Sequence, residues 1–194
     1  MKVPARLHVL LASRSKQAVI IRRGPSLRTA IIGWDRSTDK FTPGQWLKGR
    51  LYPFRSDISP DGRHWIYFAM GEKHGQTWTA AAQTPYLKAL DFYPKHDAWN
   101  GGGLFTSSKS YWLNDGPYLH ERERAASGLK VEESYQNEPN WQGECPLVYF
   151  RRLQRDGWTL LNPEEHTDKY IFEKRISDYW MLIKHFNIDT KHPE

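Results

Sequence analysis

The sequence predicts an all-β fold of short antiparallel strands, and three observations carry that prediction. The apolar runs are brief and rich in β-branched and aromatic residues, the composition of half-buried pleated strands. Turn formers punctuate them at Gly24-Pro25, Pro60-Asp61-Gly62, Asn100-Gly101, Asn114-Asp115-Gly116 and Asp156-Gly157. A plan of strand, polar turn and second strand with a tryptophan also recurs along the chain.

The elements follow in order. Leu7 to Leu11 reads as a strand, since Arg14 and Lys16 cut its apolar stretch too short for a secretory leader. Ala18 to Ile21 and Thr29 to Trp34 form a hairpin across Gly24-Pro25. Trp65 to Met70 and Thr77 to Ala82 follow the Pro60-Asp61-Gly62 turn, and Tyr86 to Phe92 has room for a short helix. Leu104 to Thr106 pairs with Ser110 to Leu113. The polar stretch 121–140, opening on the charge run Glu121 to Arg124, reads as one long surface loop. Leu147 to Leu153, Trp158 to Leu161 and Tyr170 to Glu173 read as further strands. In Ile176 to Phe186 the residues Ile176, Tyr179, Trp180, Ile183 and Phe186 recur at helical spacing, so helix and hairpin both stay open there.

Composition bounds the rest. With 39% hydrophobic and 26% charged residues among 194, the chain fills one core, and residues 1–194 read as a single domain. The lone cysteine, Cys145, allows no intrachain disulfide and points to a reducing cytoplasm. No run approaches the roughly 18 apolar residues of a membrane helix. Aromatic residues make up 14% of the chain, including nine tryptophans, and must fill a core or face a ligand.

The repeat plan covers five segments: Val19 to Trp34, Trp65 to Trp78, Leu104 to Trp112, Leu147 to Trp158 and Tyr170 to Trp180. A large apolar plug per unit would place those five marker tryptophans in the core. A second self-match pairs Leu47-Lys48, Tyr52-Pro53 and Asp57 with Leu87-Lys88, Tyr93-Pro94 and Asp97, at offsets of 40, 41 and 40. A period near 40 is that of a propeller blade. Ser59-Pro60-Asp61-Gly62-Arg63 followed by Trp65-Ile66-Tyr67-Phe68-Ala69 resembles the turn and second strand of WD-like β-propeller repeats, over about one unit from Asp57 to Leu90. The resemblance implies a turn leading into a buried inner strand, with the next strand ending on a large apolar residue, here Trp78. The expected architecture is a small β-propeller-like array of about five antiparallel units, with an irregular antiparallel sandwich or barrel as the alternative.

Catalytic and cofactor motifs are missing: there is no phosphate-binding loop, no H-E-x-x-H, no C-x-x-C and no G-x-S-x-G. Eight dispersed histidines offer no metal-ligand spacing, so neither a metal nor another cofactor is expected. Cys145 reads as a small core residue. Asp57 and Asp97, at repeat-equivalent positions, are the carboxylates that could act as acid and base, although aspartates at such turns commonly cap their own backbone. The best polar cluster runs through His96, Asp97, Trp99 and Asn100 into three glycines that admit close approach of another chain or ligand. Trp46, Trp99 and Trp141 fall outside the marker positions and are the candidate exposed aromatics.

A net charge of +6 invites nucleic acid, through Arg22-Arg23 with Arg28 and Arg151-Arg152 with Arg155. Side chains alternate on strands, so each arginine pair would split across its sheet. The reading that fits best is a non-catalytic scaffold that binds another protein through His96, Asp97, Trp99, Asn100, Trp46 and Trp141. A glycan-binding or glycoside-cleaving domain and an RNA-binding module are the alternatives.

Overall fold

The computed structural model describes residues 4–24, 27–72, 76–114, 121–135, 147–161 and 169–187. Seven consecutive strands make an antiparallel meander: β1 (Arg6–Leu11), β2 (Gln17–Arg23), β3 (Arg28–Asp35), β4 (Lys40–Ile58), β5 (His64–Gly71), β6 (Thr77–Gln83) and β7 (Ala89–Lys95). The strands β8 (Gly103–Ser107) and β9 (Ser110–Leu113) form a hairpin. β10 (Arg124–Ala125) extends the meander beside β7, and β11 (Lys130–Glu132) runs parallel to β9. The helix α1 (Leu147–Arg155) precedes a third sheet of β12 (Thr159–Leu160), β13 (Lys169–Arg175) and β14 (Met181–Asn187). The all-β class therefore stands, with one short helix, and none of the three sheets closes among the described residues.

The long strand β4 joins two halves of the meander. Its residues 40–48 pair with β3 and residues 49–58 pair with β5. The sequence hid this strand, because Pro43, Gly44, Gly49 and Pro53 interrupt the alternation that marks strands. The meander curls on itself, so Leu10, Val19, Ile21 and Ile31 of the first half share one core with Leu51, Trp65, Tyr67, Ala80 and Ala82 of the second. Small alanines on β6 leave room for the Trp65 and Tyr67 rings, stacked 4.6 Å apart. Their polar tips donate to the Tyr86 carbonyl at 2.7 Å and the Leu87 carbonyl at 2.6 Å, so burial leaves no orphaned donor there. Each such side chain contributes roughly 1.5–3 kcal/mol on burial.

The Ser59 to Arg63 turn behaves as its residue types demand. The Ser59 N–H donates to the His64 carbonyl at 2.8 Å, and the Asp61 carboxylate accepts from the Ser59 hydroxyl at 2.7 Å and the Arg63 N–H at 3.1 Å. It delivers Trp65 to Ala69 as a buried strand. Trp78, expected at the end of the next strand, instead stands second in β6 and is half-buried.

Three further expectations need correction. Leu147 to Leu153 is helical: Tyr149, Phe150 and Leu153 turn one face onto Phe172, while Arg152 and Arg155 suit the last turn. The helix stops at Gly157 (φ 83), with the Trp158 N–H on the Leu153 carbonyl and the Gly157 N–H on the Gln154 carbonyl. Tyr86 to Phe92 is no helix, as its second half belongs to β7. The stretch expected as a loop over 121–140 holds β10, β11 and the buried Leu129 within its described part, residues 121–135. Residues 176–186 resolve as the turn and second strand of the β13–β14 hairpin.

The marker tryptophans are not the core plugs of repeated units. Trp34, Trp78, Trp112 and Trp158 are half-buried and Trp180 is 70% exposed, whereas Trp65 is fully buried.

Candidate functional site

The two carboxylates matched by the repeat have different fates, and they do not converge. Asp57 is buried near the end of β4, where one oxygen accepts the Phe105 N–H at 2.8 Å and both meet the Arg155 guanidinium. Burial alone lowers the Arg155 pKa, but the charges of Asp57 and Asp156 outweigh it and hold the guanidinium above its ordinary range. Asp97 sits exposed in the loop after β7 and caps that loop, accepting the Trp99 N–H at 2.9 Å. Asp57 lines a cavity of about 180 Å³ with Tyr149, Arg152, Asp156 and Lys184, and Asp97 lies outside that lining. An acid–base pair of Asp57 with Asp97 is therefore not assembled.

The loop from His96 to Asn100 is held by its backbone. Arg55 reaches the carbonyls of Ala98, at 2.6 Å, and Asn100, while the Thr77 hydroxyl donates to the Asp97 carbonyl at 2.6 Å. The glycines that follow admit neighbouring strands rather than an open approach: a Cβ on Gly101 would lie 2.5 Å from the Phe68 ring, and one on Gly102 1.9 Å from the Arg55 carbonyl oxygen. His96 and Asp97 are exposed, Asn100 is half-buried, and Trp99 projects at 67% exposure. Trp46 is exposed on β4, with the Arg22 guanidinium 6.0 Å from its ring. Trp141 and Cys145 fall outside the described residues.

The arginines of α1 point inward, against the expectation that a strand would split them. Arg151 lies 4.6 Å over the Trp112 ring, Arg152 donates to the Ser56 carbonyl, and Arg155 grips Asp57. Burial lowers the pKa of both Arg151 and Arg152. Among the described residues no three His, Cys, Asp or Glu side chains gather as a metal site.

Two features that the sequence reading passed over lie side by side. The first is a cleft of about 1130 Å³ between the β1–β2 turn, the end of α1 and the tip of the β13–β14 hairpin. Among the described residues five cations line it, Arg14, Lys16, Arg36, Arg155 and Lys174, against one carboxylate, Asp156. Arg36 braces the turn beneath them, donating from its backbone N–H to the Lys16 carbonyl at 2.8 Å and from Nη2 to the carbonyls of Ala12 and Ser15 at 3.1 and 2.8 Å. The Arg14 N–H ties the same turn to the Pro60 carbonyl at 2.8 Å.

The second feature is the hairpin itself. Register pairs Lys174 with Leu182 and Arg175 with Met181, and the turn closes with the Ile176 N–H on the Trp180 carbonyl at 3.0 Å. Its inner face packs Phe172 and Phe186 on α1, yet Ile176, Tyr179, Trp180, Met181, Leu182 and Ile183 all stand exposed. Consecutive exposed apolar residues from Met181 to Ile183 thus put large apolar side chains on both faces of the hairpin tip. The helical spacing of Ile176, Tyr179, Trp180 and Ile183 concealed that signal.

No family model, no curated protein and no solved structure matches this chain. No helix among the described residues is long and apolar enough to cross a membrane.

Proposed function

We propose that this chain is a non-catalytic binding module whose partner is another protein, and that the β13–β14 hairpin tip makes the contact. The observation that carries this reading is the cluster of large apolar side chains displayed there, with Tyr179 93% and Trp180 70% exposed. Contiguous exposed apolar groups are rare on monomers, and tyrosine and tryptophan dominate the energetics of protein contacts. The backbone-locked loop that presents Trp99 supports a second contact point, since a rigid anchor costs little entropy on binding.

The scaffold beneath is all-β. Its finer architecture fits the sandwich or barrel alternative, because β1 to β7 pair without a break and the two halves of the meander share one core.

Affinity capture of the tagged chain from its native lysate, with nuclease, tests the function against a Tyr179→Ser/Trp180→Ser variant. A stoichiometric protein that survives nuclease, rebinds as purified material and is lost in the variant supports the reading. A partner that vanishes with nuclease, or one that the variant retains, rejects it. Concentration-dependent self-association of the purified chain, abolished by the same substitutions, would assign the hairpin to a homodimer instead.

A further inference from the structure

We infer that the cleft beside the hairpin receives an acidic segment of the partner that also carries apolar side chains. This rests on the protein-binding reading above and names the chemistry of what is bound.

The charge of the cleft is unbalanced. Asp156 and the neighbouring Asp57 are both engaged by Arg155. Lys174 donates to the Asp156 carbonyl at 2.6 Å and Arg36 to carbonyls of the β1–β2 turn, and neither has an ion-pair partner among the described residues. Arg14 and Lys16 are exposed, and their side chains have no ion-pair partner among the described residues. Arg14, Lys16, Arg36 and Lys174 thus line one space without a carboxylate partner among the described residues, and Arg14 and Lys16 stand on a turn already fixed by hydrogen bonds. Complementary charge arranged in advance favours and orients an anionic ligand.

The rest of the lining decides what kind of anion. Leu11, Ile176 and Leu182 are exposed at this cleft and suit side chains of the same type. A nucleic acid strand calls for stacking platforms instead. Of the described rings that line it, Phe105 is fully buried and Trp158 half-buried, the exposed Tyr179 and Trp180 stand at the hairpin tip outside this lining, and the aliphatic rim gains nothing from ribose and phosphate.

The test selects a random display library of peptides about twelve residues long on the full chain, then measures enriched synthetic peptides by fluorescence anisotropy. Enriched peptides are expected to be net negative with aliphatic or aromatic positions, and to weaken as salt rises. Arg14→Glu/Lys16→Glu is expected to weaken them by roughly tenfold or more, and Leu182→Ser severalfold, with unchanged melting temperature. Enrichment of neutral or basic peptides, no enrichment, or binding indifferent to Arg14→Glu/Lys16→Glu overturns the inference. So does a polyuridylate strand that binds more tightly than the peptides in the same assay. A lysate partner lost in Tyr179→Ser/Trp180→Ser but retained in Arg14→Glu/Lys16→Glu would leave the binding module standing and remove the acidic segment alone.

Discussion

Arg155, at the end of α1, meets both carboxylate oxygens of Asp57, 98 residues earlier on β4, and so pins the helix to the sheet. The same guanidinium donates to the Phe105 carbonyl at 2.9 Å and reaches Asp156, so one side chain ties together β4, β8 and the helix terminus. The pair is nearly dry, with the Asp57 side chain 1% and the Arg155 side chain 19% exposed.

Removing one partner leaves the other charge buried without compensation. Arg155→Met is therefore expected to cost about 3–5 kcal/mol of unfolding free energy in urea, whereas Asp57→Asn combined with Arg155→Met recovers part of that loss. A double variant no more stable than Arg155→Met would count against the ion pair as the source of the effect.

Asp91 is the second buried anchor. Its carboxylate accepts the Tyr111 hydroxyl at 2.7 Å, the N–H groups of Ala126 and Ser127 at 3.0 Å each and the Ser127 hydroxyl, fastening the 122–129 segment to β7. Asp91→Asn turns one acceptor oxygen into a donor facing donors, a cost of about 1–3 kcal/mol. Amide exchange is expected to accelerate first in residues 121–131 and only later in β5 and β6. Uniform acceleration across the sheet would refute the local role.

The Tyr67 phenol, buried in the main core and donating to the Leu87 carbonyl, is pushed up to about 12 by burial. A raised folded pKa favours the protonated form, so its stabilising contribution is whole below about pH 10, the unfolded value, and is lost as pH rises from there through about 12. Tyr67→Phe should flatten the fall in melting temperature over that window. Burial, with the hydrogen bonds to Tyr93 and Asp91, also raises Tyr111, so its phenolate should appear only upon unfolding in an ultraviolet titration.

His8 and His64 work at the other end of the scale. Burial lowers both: His8 meets Phe54 edge to face, and among the described residues its Nε2 and the Nδ1 of His64 find no hydrogen-bond partner. Because the folded state favours neutral imidazole, the contribution is present above the unfolded value near pH 6.5 and is lost as pH falls below it toward the folded values. Melting temperature should drop on acidification from pH 6.5, and His8→Gln/His64→Gln should make that drop shallower. An unchanged slope in the double variant would exclude these two groups as its cause.

By itself the sequence determined the β class, the placement of most strands and the chemistry of the Ser59 to Arg63 turn, because alternation, branching and turn geometry act over a few residues. It also pointed to Trp99 and Trp46 as exposed rings, on the ground that both fall outside the marker positions and beside Asn or Gln. Only the tertiary structure decided that Leu147 to Leu153 coils as a helix, since its aromatic face needs Phe172 and Phe186 from the hairpin to cover it. Likewise, Asp57 and Asp97 match in sequence yet divide into a buried anchor and a surface cap, because Arg155 reaches one and not the other. The cationic cleft was invisible for the same reason: Arg14, Lys16, Arg36 and Lys174 come from distant parts of the chain, and only the docking of β1–β2, α1 and β13–β14 sets their charges around one space.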